Sequence, residues 1–199
     1  DKYRKLEENE TEWEETEYKN YGNKVFCGGN NGRDWELAIK IGQSMPNVQF
    51  ILVMPTFIQK YYAKIKISDN IHIFGNVSLV EFNKLLQESS IVMLPLNTDA
   101  PAGLIVIFQA ASQQKTVITT STPVTKEYID NETGVLCENN IDQFRKEIEY
   151  HLQHPDIARA KGKALYNKLR SECSKELYTS KLYNILLHNE NRISHTCIL

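Results

Sequence analysis

The sequence predicts an α/β fold: a doubly wound, mostly parallel six-stranded sheet with helices on both faces, followed by a C-terminal helical tail. Between Lys24 and Cys137, short apolar runs alternate with segments of helical periodicity, the order that builds a parallel sheet covered by helices. The run Val48-Gln-Phe-Ile-Leu-Val-Met54 is almost continuously apolar, as a strand buried on both faces requires. From Ile141 onward only helical patterning remains, broken at Pro155 and again near Glu172 to Ser174. At 199 residues and 41% hydrophobic content, the chain is long enough to bury one substantial core.

In chain order, Lys24 to Cys27 forms a short buried strand ending at Gly28-Gly29, and Asp34 to Ser44 carries Trp35, Ala38, Ile39 and Ile41 at helical spacing. The strand Val48–Met54 leads to a short helix over Phe57–Lys64, then to a strand over Asn70–Phe74 and the turn Gly75-Asn76. Ser78 with Glu81 three residues later is a capping-box signature, and Leu79, Phe82, Leu85 and Leu86 repeat as the apolar face of the helix it opens. Next come a strand at Ile91–Leu94, a helix at Leu104–Gln113 and a strand at Thr116–Thr119. A helical turn over Thr122–Ile129 and a strand over Val135–Cys137 complete the sheet.

Three segments flank or divide this pattern. Residues 1–22 are dense in glutamate, with Trp13, Tyr18 and Tyr21 interleaved, and read as an acidic linker or surface segment. The regular domain is expected over 23–187, with 188–199 as a tail. The first residue is Asp, so the chain reads as an excised part of something longer.

Composition excludes several classes. A net charge of −2 provides no global attraction to nucleic acid, so an anion site must be local. Cys27, Cys137, Cys173 and Cys197 are dispersed, without CxxC spacing, and read as reduced thiols of a cytoplasmic protein. The five histidines have no ligand spacing, so no metal is expected; His151 and His154 lie on a charged helix, where exposure to solvent is expected. No apolar run approaches the ~20 residues of a membrane-spanning helix.

Chemistry is expected at the C-terminal ends of the strands, where open α/β sheets bind ligands. Gly28-Gly29-Asn30-Asn31-Gly32-Arg33-Asp34 joins the first strand to the first helix. Its glycines let backbone N–H groups approach an anion, and Arg33 supplies a fork suited to phosphate oxygens; the same residues also read as a Gly-rich turn with a solvent-facing arginine. Gly75-Asn76-Val77 follows the third strand and could pair with a nucleobase or be an ordinary turn. Ala102-Gly103-Leu104 opens a helix at the fourth strand's exit. Within that helix Gln109 sits among apolar neighbours and needs a partner, either a ligand hydroxyl or a backbone group.

Taken together, Val25-Phe-Cys-Gly-Gly, Asn47-Val-Gln-Phe-Ile-Leu-Val, Ile73-Phe-Gly-Asn-Val, Ile91-Val-Met-Leu-Pro, Ala102-Gly103 through Phe108-Gln109-Ala110, Thr116-Val-Ile-Thr-Thr, and Tyr128-Ile129 to Gly134-Val-Leu resemble the C-terminal, donor-binding domain of GT-B glycosyltransferases of group 1, or family 4. The resemblance covers about Val25 to Leu187. It implies a Rossmann-like domain that binds a UDP- or GDP-sugar, and transfer of the sugar with retention to a polysaccharide or glycolipid acceptor. It implies donor contacts from Gly28, Gly29, Arg33, Gly75, Asn76, Val77, Ala102, Gly103, Leu104 and Gln109, with Arg33 as the catalytic cation and neither metal nor other cofactor. Where the family usually carries two glutamates eight residues apart, this chain has Pro101, beside Asp99, and Gln109; the usual lysine after the first strand is absent.

The resemblance also implies a second, N-terminal acceptor domain that nothing before Val25 supplies, so the isolated domain is expected to be inactive. Its expected location is cytoplasmic, with at most peripheral association of the full-length protein at the inner face of the membrane. Two alternatives stay open: a degenerate GT-B domain acting as a regulatory or protein-binding module, and a fragment of a GT-B-type nucleotide-sugar epimerase.

Overall fold

Val25, Phe26, Phe50, Leu52, Ile91, Met93, Val117 and Ile118 are buried to the last few per cent, and a strand can be that enclosed only when a sheet is covered on both faces. In the computed structural model, which describes residues 22–194, the strands are β1 Lys24–Gly28, β2 Gln49–Val53, β3 Ile71–Phe74, β4 Ile91–Leu94, β5 Thr116–Thr120 and β6 Val135–Cys137. All pairings are parallel, in the order β3-β2-β1-β4-β5-β6. The order reverses between β1 and β4, which opens a crevice at their C-terminal ends.

The helices are α1 Trp35–Ser44, α2 Thr56–Tyr62, α3 Leu79–Gln87, α4 Leu104–Ser112, α5 Thr125–Tyr128, α6 Ile141–Gln153, α7 Pro155–Glu172 and α8 Lys175–Ser194. Local chemistry sets their starts. Asp34 accepts the Leu37 N–H at 2.9 Å, Ser78 accepts that of Glu81 at 3.1 Å and Asn140 accepts that of Gln143 at 3.0 Å, each relieving a backbone donor that the helix itself leaves unpaired. The main core lies between the sheet and α1 and α6, with Trp35, Ile41, Phe50, Leu52, Phe144 and Ile148 among its members.

Polar residues inside this core are matched by specific partners. The Asn70 Nδ2 group is shared among the carbonyls of Gly42, Met45 and Val48 at 2.8–3.0 Å, tying the end of α1 to the start of β3. On β5, fully buried although rich in threonine, the Thr119 hydroxyl donates to the Leu94 carbonyl at 2.9 Å and that of Thr116 to the Ala158 carbonyl.

Two expectations need correction, and one open alternative closes. His151, expected on a solvent-facing surface, is only 2% exposed; its Nδ1 meets the Glu147 carbonyl at 2.8 Å while Nε2 has no partner, because α6 turns this face inward. Leu79, expected on the apolar face of α3, is 65% exposed, since the first turn of α3 overhangs the crevice. Of the two readings open for Arg33, the solvent-facing one does not hold: the residue is 6% exposed.

The chain divides into two compact units, one ending at Tyr166 and one beginning at Asn167. The second contains the end of α7 and all of α8, which runs through position 188 without a break; along it Tyr178, Leu182, Ile185 and Leu186 are exposed. The acidic segment over residues 1–21, and Cys197, lie outside the described residues.

Candidate donor-binding crevice

The crevice at the strand-order reversal encloses about 710 Å³, within the ~300–1,000 Å³ of small-molecule sites. Its walls come from strand-to-helix connections: Gly29, Asn30, Asn31 and Arg33 after β1, Met54, Pro55 and Thr56 after β2, Asn76, Val77 and Ser78 after β3, and Pro101 to Val106 after β4, with Phe82 and Gln109 set deeper along α3 and α4.

Arg33 lies at its base. Its Nε donates to the Gly28 carbonyl at 2.8 Å and its Nη1 to the Asn31 carbonyl at 3.0 Å. A side chain on Gly29 would place its Cβ 2.5 Å from Nη2, so Gly29 makes room for the guanidinium, whereas a Cβ on Gly103 would lie in ordinary contact, 3.6 Å from Nη1. Both have positive φ, +122° and +83° respectively, which Gly adopts without the steric penalty other residues incur. Burial lowers the Arg33 pKa from its ordinary value, yet guanidinium groups stay charged at neutral pH. Beneath it, burial pushes the Cys27 thiol up to about 12, leaving Cys27 neutral. Among the described residues no carboxylate pairs with Arg33. A cation this enclosed, satisfied only by two carbonyls, is electrostatically incomplete.

Above it stands the N-terminus of α4. Gly103 occupies the cap position and no side chain caps the helix, so the first-turn N–H groups and the positive end of the helix dipole face the crevice. Asn76 adopts a positive φ of 55°, which brings it and Val77 into the wall. Gln109 donates from Nε2 to the Asn83 Oδ1 at 3.1 Å; its protein partner is thus a side chain of α3 rather than a backbone group.

Of the residues singled out in the sequence, Gly29, Arg33, Asn76, Val77, Ala102, Gly103, Leu104 and Gln109 converge on the crevice, whereas Gly28 and Gly75 do not line it. Gly28 sits instead under the rings of Phe26 and Phe82, and Gly75 against the Gln59 side chain. Met54-Pro55-Thr56, a part of the wall that was missed, could have been found from its place at the end of a strand beside the reversal. Asn83, which does not line the crevice but holds Gln109, carried no signal, since its role depends on a contact across 26 residues. The mouth is apolar: Leu79 and Ile105 both line it and are 65% and 76% exposed. Among the described residues no cluster of His, Cys, Asp or Glu could hold a metal ion, and no helix is long and apolar enough to cross a membrane.

A parallel sheet whose order reverses beside an incompletely paired, buried guanidinium and an uncapped helix N-terminus defines a Rossmann-like α/β domain. The chain belongs to the glycosyl transferases group 1 family, which it matches over residues 44–168. Among solved structures it is similar to TarM (TM-score 0.72, 16% identity, covering 85% of this chain and 36% of that one) and to HepE from Anabaena in complex with UDP-glucose (0.71, 12%, 84% and 49%). A glycosyltransferase from Rickettsia africae is likewise similar (0.68, 20%, 84% and 48%). At these identities the likeness is one of fold, and the chain spans between about a third and a half of the length of these structures. No curated protein matches the sequence.

Proposed function

We propose that this chain is the donor-binding half of a retaining glycosyltransferase that takes a UDP- or GDP-sugar and passes the sugar to a hydroxyl of a polysaccharide or glycolipid acceptor. The observation that carries this reading is Arg33, a buried cation without a carboxylate partner, at the base of a crevice that also receives the α4 N-terminus. A diphosphate supplies the charge that this arrangement lacks. HepE of the same fold is described with UDP-glucose, and S. aureus TarM with UDP.

In this reading the diphosphate sits against Arg33 and the N–H groups of Gly103 and Leu104; the Gly29 N–H, expected to contact the donor, is engaged instead by the Val53 carbonyl at 3.2 Å. As the bond from the sugar to the diphosphate breaks, negative charge grows on the leaving oxygen, and donors already fixed in a water-poor crevice stabilise it without reorganising. The base stacks near Asn76 and Val77, and Gln109 accepts from one ribose hydroxyl. The acceptor domain belongs to a longer protein working at the cytoplasmic face of a membrane, and the isolated domain binds donor without transferring it. Calorimetric titration with UDP, GDP, their sugars and uridine tests the proposal. Binding of a diphosphate more tightly than the nucleoside is expected; no binding of any of them at millimolar concentration would overturn it.

The amide pair Gln109–Asn83 favours a second reading, a domain that binds a nucleotide-sugar as a regulatory signal, because an amide accepts more weakly than the carboxylate the family usually has there. Donor turnover by a longer version of the chain, followed by NMR, separates the two and also reports epimerisation.

A further inference from the structure

We infer that Asn139, outside the crevice on the connection between β6 and α6, is a positioning residue for Arg33. The inference rests on the reading that Arg33 holds the diphosphate.

The backbone around Arg33 is clamped to the exit of β4. Arg33 and Leu96 form an isolated antiparallel bridge, with the Asp34 N–H donating to the Pro95 carbonyl at 2.9 Å and the Asn97 N–H to the Gly32 carbonyl at 3.1 Å. The Leu96 N–H points away from this clamp and donates to the Thr120 hydroxyl at 2.8 Å. That hydroxyl donates in turn to the Asn139 Oδ1 at 2.9 Å. With its oxygen so engaged, the Asn139 amide has one orientation, and its Nδ2 donates to the Asp34 Oδ2 at 3.0 Å. The other Asp34 oxygen caps α1 at the Leu37 N–H.

The bonds close a ring from Asp34 through Asn139, Thr120 and Leu96 back to the backbone beside Arg33. The polarity is single-valued, because a carboxylate only accepts, a hydroxyl has one proton to give and an amide oxygen cannot donate. The ring joins the ends of β1, β4, β5 and β6, so it holds the Arg33 loop against the connection that leads to Gly103. Asn139 is its one side-chain link between Asp34 and Thr120. Holding the guanidinium in place before the donor arrives removes an ordering cost from binding, and a cation that must match a diphosphate tolerates little displacement.

The test measures UDP and uridine affinity by calorimetry, and Tm, for the full chain and three variants. Asn139→Ala removes both bonds and should weaken UDP about three- to tenfold, the effect of one or two modest hydrogen bonds, with uridine affinity unchanged. Asn139→Asp sets two carboxylates face to face and should weaken UDP further; Asn139→Ala carries the test should this variant not fold. The exchange Asp34→Asn with Asn139→Asp restores every donor and acceptor. The amide introduced on the first loop can cap α1 with its oxygen and donate to the introduced carboxylate, whose second oxygen accepts from Thr120. The exchange should return UDP affinity to within about twofold of the parent. Single variants that lower Tm but leave UDP affinity intact, or an exchange that restores Tm and not UDP affinity, would overturn the positioning role. If the parent chain binds no UDP, the donor reading fails first; a parent that binds UDP indifferently to Asn139 refutes only the present inference.

Discussion

Replacing Arg33 with methionine should separate stability from binding, because the guanidinium is buried without a counter-charge. The variant keeps most of the side-chain volume and loses the bonds to the Gly28 and Asn31 carbonyls at 2.8 and 3.0 Å. Two bonds from a charged donor are worth about 3–6 kcal/mol together, but releasing an incompletely paired charge from the interior returns several kcal/mol. The net change in the free protein should stay within about 2 kcal/mol, or about 4–8 °C in Tm for a domain of this size. Binding has no such offset. Losing a charge-assisted contact to a desolvated diphosphate costs about 2–5 kcal/mol, so the UDP dissociation constant should rise by about 30- to several thousand-fold at ~1.4 kcal/mol per tenfold. Uridine, which has no phosphate, should bind the variant and the parent alike. Calorimetry with UDP and uridine, with thermal melts of both proteins, supplies all of these values. A Tm lowered by more than about 10 °C with UDP affinity changed less than about threefold would make Arg33 a structural brace and refute the reasoning.

Gly103→Val forces a β-branched residue into a φ of +83° and should cost about 1–3 kcal/mol while weakening UDP, whereas Gly75→Ala should be nearly silent, its new Cβ meeting only the flexible end of Gln59; denaturant midpoints and UDP titration compare them. Gly162→Ala should destabilise more than either, since its Cβ would fall on the Gln114 carbonyl oxygen, and overpacking of this kind costs about 1–3 kcal/mol or more. Asn70→Asp turns an amide that donates to three carbonyls into a carboxylate facing them and should cost at least about 3 kcal/mol by urea unfolding. Burial lowers the His151 pKa from its ordinary 6.5, outweighing the upward pull of Glu147. The unfolded chain therefore takes up a proton that the fold resists, and this contribution to stability is complete above pH 6.5 and declines as pH falls toward the folded-state value. His151→Phe should flatten the fall of Tm below that pH.

How far the sequence led can be judged at individual residues. The glycines at 29 and 103 and the cap at Ser78 were legible because positive φ and N-capping are local requirements with few residue solutions. The crevice followed from strand and helix order, since a parallel sheet must reverse somewhere and binds ligands there. Asn83, Asn70 and His151 were not legible. The first two work through atoms 22 to 28 residues away, and a histidine on a charged helix gives no sign of which way the helix is rolled.

Arg33 holds both halves of that distinction. Local sequence alone determined that a cation follows a glycine-rich exit from a buried strand, next to a helix, in a chain whose apolar rhythm demands a parallel sheet. Tertiary structure alone decided that the cation would be buried, without a carboxylate, between Gly29 and Gly103, and braced through Asn139. Backbone conformation and periodicity are set by neighbours within a few residues, whereas the burial of a charge and the direction of its hydrogen bonds depend on which distant loops the sheet brings together.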